Sequence, residues 1–212
     1  MKRLIATSLA ILMVSLQLSA QGPFSNKEYE GGNQLRETYM QGAIPDVDGK
    51  LSFTKTFDIS GMSKDEAYKR LAQWVSFRFN PSAESGTYGN MNYFKNTEYA
   101  RILNSDKETG DFEILGNEEM IFTNKALAKD YCIVYYNLIL KISDGQVTAT
   151  MTNITYTYDL GDNTVRYDAE EWITDSVAFN KKGMLAKVNG KFRVKTIDLK
   201  DELFKEIEGK LK

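Results

Sequence analysis

The side chains best suited to chemistry in this chain are carboxylates gathered around one tryptophan. Asp159, Asp162, Asp168, Glu170, Glu171 and Asp175 follow one another in a short stretch, with Trp172 among them. Paired carboxyls can divide acid and base roles in glycoside cleavage, and an aromatic ring beside them can stack on a sugar. Clustered carboxylate oxygens can also hold Ca²⁺, but the spacing here matches no EF-hand loop. A plainer reading stands beside both. Glu170, Glu171 and Asp175 fall in the first turns of a short predicted helix, where the helix dipole favours negative charge. They then read as solvated cap residues, with Trp172 packed on the sheet edge.

Other chemistries are removed by composition. The chain has no histidine, so Ser-His and Cys-His nucleophile pairs, imidazole acid–base catalysis and histidine metal sites are all excluded. Cys132 is the single cysteine. It can form no intramolecular disulfide and no thiolate cluster, and inside a strand pattern it reads as a small buried residue. No serine sits in a nucleophile-elbow glycine pattern, and Gly31-Gly32 lies outside any strand-to-helix turn that would cradle phosphate. The residues therefore single out no catalytic, cofactor-binding or metal-ligating position and no cofactor, and we expect no enzyme.

The elements that would position any site start with an address. Lys2 and Arg3 precede a mostly apolar run from Leu4 to Leu18, and Leu18-Ser19-Ala20 offers a small-residue cleavage site. Residues 1–20 thus read as a secretory signal peptide, and the run is shorter than the ~20 residues of a membrane span. No cysteine stands at the cleavage point, so the lipoprotein variant is not expected. No later segment reads as transmembrane. The mature chain is expected to be periplasmic or secreted. Loss of Lys2 and Arg3 leaves 25 basic residues against 29 acidic ones, a net charge of −4. Nucleic acid is not an expected partner, because phosphates require a basic footprint.

About 190 mature residues with 42% apolar and 12% aromatic content suffice for one domain with a real core. Residues 21–48 read as a loosely ordered leader with a short helix over Asn33–Met40, and 49–212 as a single α+β domain. Leu51, Phe53, Lys55 and Phe57 alternate with polar residues as a half-buried strand does. After the Gly61 turn, Ser63 and Glu66 stand at capping-box spacing. Ala67, Leu71, Trp74 and Phe79, with Tyr68 and Val75 alongside, then form a helical stripe that Asn80-Pro81 ends. Residues 82–95 read as a mobile loop. Two hairpins follow: Tyr99–Ser105 with Phe112–Phe122, and Tyr131–Ile142 with Gln146–Tyr158. The second turns at Asp144-Gly145, a pair suited to positive φ.

In the last of these strands Val147, Ala149 and Met151 share one parity, while Ile154, Tyr156 and Tyr158 take the other. A β-bulge near Thr152-Asn153 would return all six to one face. Beyond it we expect a loop over Asp159–Tyr167, a short helix around Asp168–Phe179 and a hairpin-like stretch around Gly183–Val194. A closing helix over Leu199–Leu211 has Leu199, Leu203, Ile207 and Leu211 on one face and Asp198 as its N-cap.

The segment GKLSFTKTFDISGMSKDEAYKRLAQW (Gly49–Trp74), the turn SDKETG (Ser105–Gly110) and the Gly116 that follows resemble the DUF4468 family of exported Bacteroidetes proteins. AEEWITD (Ala169–Asp175) and the run Lys195–Asp198 resemble it more weakly. The likeness covers roughly residues 49–160. It implies a TBP-like fold in the order strand, helix, four antiparallel strands, helix, with the helices packed on one face of an antiparallel sheet. It implies no reaction, and the fold name carries no DNA binding to a single acidic copy of the pattern.

Two functions remain as expectations. The first is a non-catalytic binding or interaction module of the bacterial envelope, taking a protein, peptide or small ligand on its open sheet face or on the 82–95 loop. Tyr131, Ile133, Tyr135, Asn137 and Ile139 would form that face. The alternative is a carboxylate-dependent glycan hydrolase using the acidic 159–175 region.

Overall fold

The computed structural model describes residues 37–79, 94–96, 100–125, 128–159 and 163–212. The expected signal peptide, the first part of the expected leader, the Asn80-Pro81 stop and most of the expected 82–95 loop lie outside them. The strands are β1 (Asp46–Val47), β2 (Lys50–Asp58), β3 (Phe94–Asn96), β4 (Arg101–Asp106), β5 (Asp111–Lys125), β6 (Ala128–Ser143), β7 (Gln146–Asp159) and β8 (Thr164–Asp168). The helices are α1 (Lys64–Arg78), α2 (Ala169–Trp172), α3 (Asp175–Ala178) and α4 (Asn189–Lys210). Among the described residues all the pairings are antiparallel, and the sheet has eight strands.

β5, β6 and β7 form the centre of the sheet, and each outer edge is shared. β2 pairs with the first half of β7 and β8 with its second half. On the other side, β4 and β3 divide the edge of β5. The fold is therefore α+β, with α1 and α4 packed on one face, as the strand–helix–four strands–helix reading anticipates.

Strand alternation explains the core. In β6, Cys132, Val134, Tyr136, Leu138 and Leu140 are buried while their neighbours are only half-buried. The same face of β2 buries Leu51, Phe53 and Phe57. α1 answers with Ala67, Leu71, Trp74 and Val75, each fully buried large apolar side chain contributing about 1.5–3 kcal/mol. Ser63 caps this helix by accepting the Glu66 amide at 3.2 Å. The Glu66 carboxylate instead takes Arg70 Nε at 2.8 Å, a pair one helical turn apart.

The expected bulge is present. β6 and β7 shift register between Tyr135 and Asn137, and Asn153 takes φ +53°, in the left-handed region. Asparagine tolerates that conformation better than most residues. Val147, Ala149 and Met151 before the bulge and Ile154 and Tyr156 after it are all buried. The bulge also marks the place where β7 exchanges β2 for β8 as its neighbour.

Four details differ from the sequence reading. Phe94 and Lys95, expected at the end of the 82–95 loop, belong to β3, which takes its strand geometry by pairing with β5. The expected loop Asp159–Tyr167 contains β8, whose Tyr167 and Val165 share the helix-side face with Tyr156 and Tyr158. The expected helix over Asp168–Phe179 is two separate turns, α2 and α3. The closing helix begins at Asn189 rather than Leu199, so Asp198 is inside it and the Gly183–Val194 stretch keeps only a single bridge, Phe179 to Leu185. The alternation Lys191-Phe192-Arg193-Val194-Lys195 imitates a strand because Arg193 and Lys195 are buried too. Arg193 is satisfied by the carbonyls of Tyr39 at 2.7 Å and Ile173 at 2.8 Å and by Asp175 at 2.7 Å. Those contacts also tie down the described end of the leader. Tyr39 donates to Asp198 at 2.6 Å, and Ile44 joins the core.

Candidate functional site

The face of the sheet opposite α1 and α4 is built from short polar side chains and one ridge of larger ones. Register places Thr54, Thr150, Ile139 and Glu113 in one row across β2, β7, β6 and β5. Thr56, Thr148, Lys141 and Asp111 form the row on one side of it, and Ser52, Thr152, Asn137 and Leu115 the row on the other. The Thr54 and Thr150 hydroxyls lie 3.2 Å apart, those of Thr56 and Thr148 3.3 Å. Ile133, Tyr135, Asn137 and Ile139 run along β6 as the ridge, all half-buried, and Tyr131 begins it. Among the described residues no helix lies over these rows. Such a face offers hydroxyl donors and acceptors and a few charged groups beside apolar contact area.

The acidic stretch is dispersed. Glu170 accepts the Leu51 amide at 3.1 Å, and Asp175 accepts the Gly42 amide at 2.8 Å while pairing with Arg193. Asp168 precedes α2 without capping it, and Glu171 is exposed. Asp162 and the Asp159 side chain lie outside the described residues. Trp172 stacks on Tyr167 of the edge strand β8 at 3.8 Å and 16°, so its ring face is occupied by protein. Among the described residues no group of three or more acidic or sulfur side chains is placed to hold a metal. Cys132 is buried, and that burial pushes its thiol well above the usual range.

A cluster that sequence reasoning missed lies on the helix side. Arg78 at the end of α1 is 7% exposed and meets Glu118 of β5, itself fully buried, at 2.9 Å. Tyr136 donates to the other Glu118 oxygen. Glu206 of α4 approaches Arg78 Nε at 3.6 Å and accepts the Trp74 indole N–H at 2.8 Å. Burial opposes the Arg78 charge, but Glu118, Tyr136 and Glu206 outweigh it and hold the guanidinium protonated. Burial raises Glu206 and, with Glu206 as neighbour, pushes Glu202 up to about 7. Gly116 makes the arrangement possible, because a Cβ there would lie 2.1 Å from the Tyr136 ring. The signal was available: Glu118 has the parity of the core residues Phe112, Ile114, Met120 and Phe122. These groups are paired with one another inside the core, so they tie α1, α4 and the sheet together.

An open groove of about 450 Å³ lies between β2 and the second half of α4. Phe53 and Phe204 line it, together with Lys55, Lys200, Lys205, Asp201 and Glu208. Lys55 pairs with Glu208 at 2.9 Å, and Lys200 touches Asp201, so much of its charge is neutralised internally.

Known proteins place this architecture. Residues 53–157 match the family model of DUF4468, a domain of unknown function with a TBP-like fold. The crystal structure of a DUF4468 family protein from Bacteroides ovatus ATCC 8483 is 31% identical, with 83% of this chain and 94% of that one covered and a TM-score of 0.68. A TBP-like protein from Parabacteroides distasonis ATCC 8503 has a TM-score of 0.61 over 79% of this chain and 96% of its own, at 19% identity, a likeness of fold alone. No curated protein matches the chain. Among the described residues no helix is long and apolar enough to cross a membrane. With its bulged antiparallel sheet, its helices on one face and this degree of identity, the chain belongs to the DUF4468 family.

Proposed function

We propose that the protein is a non-catalytic binding module of the bacterial envelope that engages a protein partner through the open face of its sheet. The observation that carries this reading is the set of threonine rows beside the β6 ridge, held on a rigid sheet with no helix over them among the described residues. This face joins hydrogen-bonding hydroxyls to aromatic and aliphatic area, the mixture that protein interfaces use. The basic start and apolar run of residues 1–20 support export, with the mature chain periplasmic or secreted. The hydrogen-bonded roles of Glu170 and Asp175 weigh against glycan hydrolysis.

The test uses the exported chain as bait in its own envelope fraction, beside Ile139→Asp and Tyr135→Ala variants shown by circular dichroism to be folded. A protein captured by the native chain and lost with both variants supports the reading. Capture indifferent to the two substitutions overturns it. So does a thermal shift with glycan or Ca²⁺ in the absence of any captured partner.

A further inference from the structure

We infer that β4 is a self-recognition edge, which pairs antiparallel with β4 of a second copy of this chain about a two-fold axis at Asn104. β4 is a six-residue strand in which Arg101 to Ser105 are all exposed, including Ile102 at 41% and Leu103 at 46%. One edge pairs with β5. Among the described residues nothing pairs with the other. Strand edges with exposed apolar residues are ready templates for another strand.

The occupant follows from register. β4 shifts against β5 between Ile102 and Asn104, which leaves Leu103 bulged out of the ladder. The remaining ladder residues are Arg101, Ile102, Asn104, Ser105 and Asp106. Cross-strand partners share a face of the sheet. Arg101, Asn104 and Asp106 therefore lie on the open face with Leu115, Glu113 and Asp111, while Ile102 and Ser105 lie on the helix face with Ile114 and Phe112. Set antiparallel against itself, this series pairs Arg101 with Asp106, Ile102 with Ser105, and Asn104 with Asn104. Every pair then joins residues of the same face, and both ends bring a guanidinium to the Asp106 carboxylate, whose Oδ1 accepts the Glu108 and Thr109 amides and whose second oxygen would take the guanidinium.

A six-residue strand without the bulge could not do this. Pairing Arg101 with Asp106 would then join residues of opposite parity, which point to opposite faces. The bulge that would ordinarily blunt an edge here makes it self-complementary, as an isologous contact requires. A paired edge this short is at the low end of specific interfaces, so the dimer is weak and concentration-dependent. It would extend the sheet across two copies and stands independently of the partner-binding reading above.

Sedimentation velocity of the exported chain from micromolar to millimolar concentration reads the association directly. Arg101→Glu sets like charges against Asp106 at both ends and is expected to raise the dimer dissociation constant about tenfold. Asn104→Cys sets two thiols opposite each other across the axis. Directly opposed Cα atoms lie about 4.5–5.5 Å apart, within disulfide reach, and the buried Cys132 does not compete. N104C is expected to form a covalent dimer under copper–phenanthroline, faster than Ser60→Cys and about tenfold more slowly when Arg101→Glu is added. A monomer over the whole concentration range, N104C linking no faster than S60C, or indifference to Arg101→Glu overturns the inference.

Discussion

β6 carries the contrast that organises this molecule. On one side Cys132, Val134, Tyr136, Leu138 and Leu140 lie buried beneath α1 and α4; on the other Ile133, Tyr135, Asn137 and Ile139 stay half-buried, with no helix over them among the described residues. The covered face is apolar, yet it also encloses an ion pair, Arg78 with Glu118, and its hydrogen-bonded neighbours. The uncovered face is made of threonines in register, whose hydroxyls lie close enough for hydrogen bonds across β2 and β7. One face holds the chain together. The other is the face on which the proposed partner binding is placed.

The comparison is broken most severely at the bulge. Deleting Asn153 removes the residue that keeps Ile154 and Tyr156 on the side of Met151, so the second half of β7 would turn its apolar set toward solvent. We expect the variant not to fold cooperatively, read as loss of the urea transition by circular dichroism. Glu118→Ala comes next. It removes the carboxylate nearest the buried Arg78 guanidinium, with Glu206 farther away at 3.6 Å, and removal of one partner of a buried pair costs about 3 kcal/mol. A shift of less than ~1 kcal/mol in urea denaturation would mean that the cluster is solvated in the native state.

A smaller effect sharpens the same contrast through pH. Burial and Glu206 push Glu202 up to about 7 from its ordinary 4.5. The folded chain thus holds a proton there that the unfolded chain has released. Stability from this group is fully present below pH 4.5 and is lost as pH rises through about 7. Glu202→Gln removes that loss. We expect the variant to match the native chain at pH 4 and to exceed it by about 1 kcal/mol at pH 8 in paired urea titrations, and an equal difference at both pH values would refute the assignment. The smallest effect belongs to the open face, where Thr150→Ala is expected to change stability by less than ~0.5 kcal/mol. A larger loss would show that the threonine rows are part of the stabilising structure.

Much of the frame was legible because it depends on local pattern. Ser63, Glu66 and the stripe through Trp74 mark α1, and Asp144-Gly145 marks the β6–β7 turn, where Gly145 has φ +81°. The parity break between Met151 and Ile154 announces the bulge before any coordinates. β8 was not legible, because Thr164–Asp168 is short and gains its strand geometry by pairing with β7. Nor was the start of α4, where two buried basic residues give a helix the alternation of a strand.

By itself, then, the order of residues determined the helix, the hairpins, the bulge and the family resemblance, since each rests on contacts or conformational preferences within a few positions. The tertiary structure alone decided which acids matter. Asp168, Glu170, Glu171 and Asp175 crowd together in sequence yet only Glu170 and Asp175 take up backbone amides, at different places, whereas Arg78, Glu118, Tyr136, Glu202 and Glu206 come from four elements and meet beneath the sheet. The reason is physical. A charge can be buried only where distant groups arrive to neutralise it, and closeness along the chain says nothing about that meeting.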